Sequence, residues 1–143
     1  MDLEPQIDTD ETQIDLGLKP SGKLVEESLT HEIIGAAFEV HNELGNGFLE
    51  SVYQAALLHE LGLRGLSCKA QAPIEVRYKG IPVGVYYADI LVAGKVICEL
   101  KAAQELTPIH DAQLLNYLKG TGIKVGLLIN FGASRCQYKR MVC

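Results

Sequence analysis

Val85-Tyr86-Tyr87-Ala88-Asp89-Ile90-Leu91-Val92-Ala93-Gly94-Lys95-Val96-Ile97-Cys98-Glu99-Leu100-Lys101 is the stretch that decides the fold. It reads as two strands, 83–92 and 95–102, turning around Gly94. Side chains alternate along a strand, so Glu99 and Lys101 share one face and Leu100 takes the other. Whether Asp89 joins them depends on the turn. A two-residue turn at Ala93-Gly94 pairs Asp89 with Cys98 and separates the two acids. A three-residue loop at Val92-Ala93-Gly94 pairs Asp89 with Ile97 and puts Asp89, Glu99 and Lys101 on one face. Gly94 suits the left-handed third position of such a loop. In that arrangement Val96, Cys98 and Leu100 fill the core, and the opposite face carries two carboxylates and an amine. Neighbouring carboxylates repel unless protonated or bridged by a cation. Oxygen donors of this kind suit Mg2+ or Mn2+. The plain alternative is a surface ion pair, Glu99 with Lys101, and Asp89 in solvent.

Outward from this hairpin the chain reads as helices and strands. Residues 30–44 form an amphipathic helix through Ile33, Ile34, Ala37, Phe38, His41 and Leu44, with Thr30 as N-cap. Gly45-Asn46-Gly47 ends it. A second helix covers 48–62, with Leu49, Val52, Tyr53, Ala56, Leu57 and Leu61 as its apolar stripe. Residues 73–79 alternate as a strand, and Gly80-Ile81-Pro82 breaks the run. Thr107-Pro108 starts a helix over 108–119 that ends at Gly120. Residues 123–131 are apolar on both sides of the pleat, as in a buried strand, and a last strand covers 135–142. This order predicts an α/β domain with a mixed β-sheet flanked by helices.

Four stretches in this frame resemble a known superfamily. Tyr87-Ala88-Asp89 followed by Cys98-Glu99-Leu100-Lys101 is similar to the PD-(D/E)XK nuclease signature, with Ala88 in place of its proline. Gly47-Phe48-Leu49-Glu50-Ser51-Val52-Tyr53 resembles the motif that names the bacterial GxxExxY family. Gln113-Leu114-Leu115-Asn116-Tyr117 resembles the QxxxY motif of RecB-like and Cas4-like members, and Leu128-Ile129-Asn130-Phe131-Gly132 also resembles the family's closing segment. The resemblance implies a restriction-endonuclease-like core and metal-dependent hydrolysis of nucleic-acid phosphodiesters. It implies Asp89 and Glu99 as ligands of Mg2+ or Mn2+ with the Leu100 carbonyl, and Lys101 as the catalytic lysine. It also implies Glu50 as a supporting carboxylate, and Gln113 and Tyr117 as groups that orient substrate or Lys101. Glu50 adjoins the apolar stripe and is expected to be partly buried. Its plain alternative is an acid favoured by a helix N-terminus. For Gln113 and Tyr117 the alternative is the edge of a packed helix face.

Composition bounds the remaining possibilities. The chain has 143 residues, 48% hydrophobic and 22% charged, enough for one domain with a core of its own. The net charge of −5 first argues against a nucleic-acid partner. Divided by position it does not. Residues 1–63 hold 13 acids and two bases, whereas 64–143 hold five acids and 11 bases. We read 1–22 as a flexible acidic arm and 23–143 as the nuclease-like domain. The arm is either an untied terminus or a cover for the basic half. Lys95, Lys119 and His110 are candidate substrate contacts. Tyr86 and Tyr87 are candidates for stacking on bases, with packing favoured for at least one. His41 reads as a hydrogen-bonded core residue. The four cysteines lack a C-x-x-C pair and read as free thiols of a cytoplasmic protein. No apolar run approaches the ~20 residues of a membrane helix. The expected partner is nucleic acid, DNA before RNA, with a homodimer or partner protein left open. The alternative function is a non-catalytic nucleic-acid-binding or protein-interaction module.

Overall fold

The computed structural model describes residues 24–143. The expected arm, 1–22, lies outside them. The elements run α1 (Glu27–Leu44), α2 (Glu50–Leu63), β1 (Cys68–Tyr78), β2 (Ile81–Val92), β3 (Val96–Lys101), α3 (Pro108–Thr121), β4 (Val125–Asn130) and β5 (Gln137–Val142). The five strands form one sheet in sequence order, antiparallel except for the parallel pair β3 and β4. A parallel pair needs a crossover, and α3 provides it. The expected class, a mixed sheet flanked by helices, is the fold observed.

Each sheet face buries a different set of residues. Toward α1 and α2 lie Val92, Val96, Cys98, Leu100, Val125, Leu127 and Ile129, packed with Ile33, Phe38, Tyr53, Leu57 and Leu61. Toward α3 lie Tyr86, Ala88, Ile97, Leu128 and Met141, packed with Leu114 and Leu118. Every residue of β4 is buried, as its two-sided apolar run predicts.

Local starts and stops differ from the sequence reading in several places. Helix α1 begins three residues before Thr30, so Thr30 is not its cap. It is buried, and its hydroxyl donates to the Glu26 and Glu27 carbonyls instead. Helix α2 begins at Glu50 with extended Leu49 as its N-cap. Leu49 therefore leaves the expected stripe and is exposed, while Tyr53, Leu57 and Leu61 are fully buried. Strand β1 starts five residues before 73, because pairing with β2 carries a segment whose own β-propensity is weak. The turn between them is Lys79-Gly80, both at positive φ, and Ile81 and Pro82 already belong to β2. Helix α3 passes through Gly120 and ends on left-handed Gly122.

Candidate metal and nucleic-acid site

The register of the β2–β3 hairpin settles where Asp89 sits. Val92 pairs with Val96, Leu91 with Ile97 and Ile90 with Cys98. Ala93 and Gly94 both have positive φ, and the Lys95 N–H closes the turn on the Val92 carbonyl at 2.9 Å. The loop is therefore three residues long, as expected, but covers 93–95 rather than 92–94. Continuing this register puts Asp89 opposite Glu99, not Ile97. Side-chain contacts continue past the last ladder pair, Ile90 with Cys98, and keep the two acids together.

The regular ladder ends at Ile90 and Cys98, and the two carboxylates take over its work. Asp89 Oδ2 accepts the Leu100 N–H at 2.8 Å. Glu99 Oε2 accepts the Asp89 N–H at 3.4 Å. Pairing of β1 with β2 is interrupted at the same level, where Gln71 has positive φ and lies between the paired residues Ala70 and Ala72. Here β2 changes its packing: Tyr86 and Ala88 belong to the α3 side, Ile90 and Val92 to the α1–α2 side. Asp89 stands at that change.

Glu99 is largely buried, and burial pushes its carboxyl up to about 7, with the Asp89 charge adding to the shift. Tyr86, whose hydroxyl donates to Glu99 Oε2, pulls the other way, as does Lys101. The Tyr86 phenol is itself pushed up, first by burial and then by its bond to Glu99. The Tyr86 ring stacks on Tyr117 of α3, with centroids 3.7 Å apart and planes at 13°. The stack fixes one ring beneath a helix and aims its hydroxyl at the acid.

Lys101 is half-buried and makes no ion pair within 4.0 Å among the described residues. Its backbone is tightly held. The Lys101 carbonyl accepts the Phe131 N–H at 2.9 Å. Fully buried Asn130 accepts the Ala103 and Gly132 N–H groups and donates to the Ala103 carbonyl and to Gln137. A Cβ on Gly132 would lie 2.4 Å from the backbone of Ala102 and Ala103, so only glycine allows this approach. Phe131 in turn stacks on Tyr53, with centroids 4.6 Å apart. The Tyr53 hydroxyl donates to the Gly45 carbonyl at 2.6 Å and accepts the Phe48 N–H at 3.2 Å. The stretches 47–53 and 128–132 thus meet beside the end of β3.

The remaining sequence candidates divide. Glu50 opens α2, one turn before Tyr53, and is exposed, which corrects the expected partial burial: only the Tyr53 side of this turn packs. No group of three or more His, Cys, Asp or Glu able to hold a metal occurs among the described residues, so Glu50 does not complete a three-acid cluster. Tyr117 reaches the site through Tyr86, while Gln113 is exposed on the same helix. His110 spends Nδ1 on the Thr107 N–H at 3.3 Å, which caps α3. Lys95 lies at the hairpin tip, roughly 13 Å along β3 from Glu99. There it lines a small cleft with Glu26, Gly122 and Lys124. Lys119 is exposed in the last turn of α3, close in sequence to that end. Neither lysine forms an ion pair with the acids. His41 is the core residue expected, with Nε2 3.1 Å from the Ala133 carbonyl.

Sequence reasoning did not identify Tyr86 as a partner of Glu99, nor Asn130 and Gly132 as the latch behind Lys101. A signal existed for Asn130. A polar residue inside a run buried on both faces must find partners.

The donor set fits a hard divalent cation. Asp89 Oδ1 and Glu99 Oε1 accept no hydrogen bond from the described residues. In a strand, one residue's N–H and C=O point to the same side. The Leu100 carbonyl thus faces β2, where the ladder has stopped. Mg2+ characteristically takes one or two carboxylates and keeps several waters.

A family model described as the PD-(D/E)XK nuclease superfamily matches residues 27–141. No curated protein matches the chain. Among solved structures, the crystal structure of SSO0001 is similar, with 19% identity and a TM-score of 0.47. The match covers 82% of this chain and 59% of that one, so the chain spans about three fifths of that protein's length.

Proposed function

Given that the chain belongs to the PD-(D/E)XK nuclease superfamily, we propose that it is a metal-dependent nuclease that hydrolyses nucleic-acid phosphodiester bonds, DNA before RNA. The observation that carries this reading is the hairpin register. It sets Asp89 against Glu99 and puts Lys101 next along the same face. Asp89, Glu99 and the Leu100 carbonyl would hold Mg2+ or Mn2+. When bound, such a cation supplies a more acidic water and offsets charge on the phosphoryl oxygen. Lys101 holds the attacking water by donating to it, or places its positive charge beside the phosphoryl oxygen as negative charge develops. Its fixed backbone anchors the root of that side chain at the end of β3. Glu50, Gln113 and Tyr117 have supporting roles around substrate and Lys101. The stretch 47–53 supports placement near the GxxExxY proteins, with Tyr53 as its structural anchor.

A second reading is a binding module that keeps the fold without cleavage. Its specific support is that Glu50 stays exposed and that, among the described residues, no third acid joins Asp89 and Glu99. Incubation with single- and double-stranded DNA and RNA, with Mg2+ or Mn2+ and with chelator, separates the two. The nuclease reading expects cleavage that chelator abolishes and that Lys101→Ala lowers a hundred- to a thousandfold. Tight binding without metal-dependent cleavage establishes the module instead.

A further inference from the structure

A buried tyrosine lies beside the acids. Tyr86 is 7% exposed, yet its hydroxyl is spent on Glu99 Oε2 rather than on backbone or solvent. Its ring is stacked on that of Tyr117, a residue 39% exposed on α3. Helix α3 is fixed in turn by Leu114 and Leu118, both buried against Ile97 and Leu128. The chain of contact therefore runs from the α3 surface through two stacked rings to one oxygen of Glu99. The same oxygen lies 3.4 Å from the Asp89 N–H. Two donors on Oε2 restrict rotation of the carboxylate, and Oε1 accepts no hydrogen bond from the described residues.

We propose that Tyr86, held by its stack on Tyr117, is a positioning residue that presents Glu99 to the divalent cation. This rests on the metal-centre reading above and adds the group that orients its buried acid. A partner that orients a metal ligand is typically worth ten- to a hundredfold in affinity. Tyr86→Phe removes only the hydroxyl and keeps the ring, its burial and its stack. Tyr117→Ala removes the stack and leaves the hydroxyl in place.

The test is calorimetric titration of the full chain with Mn2+, for wild type, Asp89→Asn, Tyr86→Phe and Tyr117→Ala. Asp89→Asn should lose most of the affinity. Tyr86→Phe should bind about tenfold more weakly, and Tyr117→Ala should fall between it and wild type. Cleavage by Tyr86→Phe should recover toward wild type at saturating Mn2+, which a merely structural defect would not do. If Asp89→Asn loses affinity while Tyr86→Phe binds like wild type, the positioning role is overturned and the metal centre stands. If Asp89→Asn also binds like wild type, both fall. A cleavage defect in Tyr86→Phe that saturating Mn2+ leaves unchanged also overturns the positioning role.

Discussion

The two faces of β3 have opposite tasks. Val96, Cys98 and Leu100 point into the core against α1 and α2, and each is at most 1% exposed. From the other face, Glu99 meets Asp89 and Tyr86, and Lys101 stands half-buried beyond it. A slip of one residue would exchange the faces. The dry face therefore constrains the wet one: burying Val96, Cys98 and Leu100 puts Glu99 and Lys101 on the opposite face, and the three-residue turn at 93–95 sets which part of β2 they meet. Substitutions on the two faces should fail in different ways.

The largest separation is expected for Lys101→Ala. Activity should drop a hundred- to a thousandfold, as for loss of a charge-stabilising donor, with the urea midpoint nearly unchanged. Its counterpart is Leu100→Ala, which should lower stability by about 3 kcal/mol in urea unfolding. The surviving folded fraction should bind Mn2+ with close to wild-type affinity. Equal loss of stability in both variants would break the comparison. Gly132→Ala should combine the two defects, because its Cβ meets the backbone that follows Lys101. Both the urea midpoint and kcat should fall.

The buried acid gives the polar face a pH signature. Glu99 keeps its proton up to about 7 in the folded chain, against an ordinary 4.5. Between those values the folded state holds more protons than the unfolded one. Metal-free stability should therefore fall as pH rises through this window and level off above it. The full effect is up to about 3 kcal/mol. Glu99→Gln should flatten that slope in urea titrations at pH 4.5 and 7. A slope unchanged by Glu99→Gln would assign it to other groups. The smallest expected effect concerns the acidic arm. Removing residues 1–22 should tighten binding to an oligonucleotide severalfold at low salt, where charge is least screened. Unchanged affinity there would argue against a covering role.

Much of this architecture was legible in the sequence. The alternation of Val96, Cys98 and Leu100 with Glu99 and Lys101 specifies both faces of β3 without any partner. Two-sided burial of β4 and the Thr107-Pro108 start of α3 are equally local. The pairing partner of Asp89 was not local. It depends on whether Lys95 joins the turn, and the backbone of Ala93, a residue that rarely takes positive φ, decides that. The start of α2 was misplaced because the hydrophobicity of Phe48 and Leu49 continues the helical stripe, whereas the chain is still extended at Leu49. The role of Tyr86 was hidden for another reason. A tyrosine in a strand is ordinary, and its contact with Glu99 spans two strands and is braced by a helix some thirty residues away.

The central claim is that the hairpin register builds a cation site from Asp89 and Glu99. The most direct measurement is the anomalous signal of Mn2+ in crystals of Lys101→Ala grown with a bound oligonucleotide, whose phosphate can complete the metal shell. The expected result is a peak bridging the Asp89 and Glu99 carboxylates, within reach of the Leu100 carbonyl and a phosphate oxygen. An oligonucleotide seated over β3 with no Mn2+ between those two acids would contradict it.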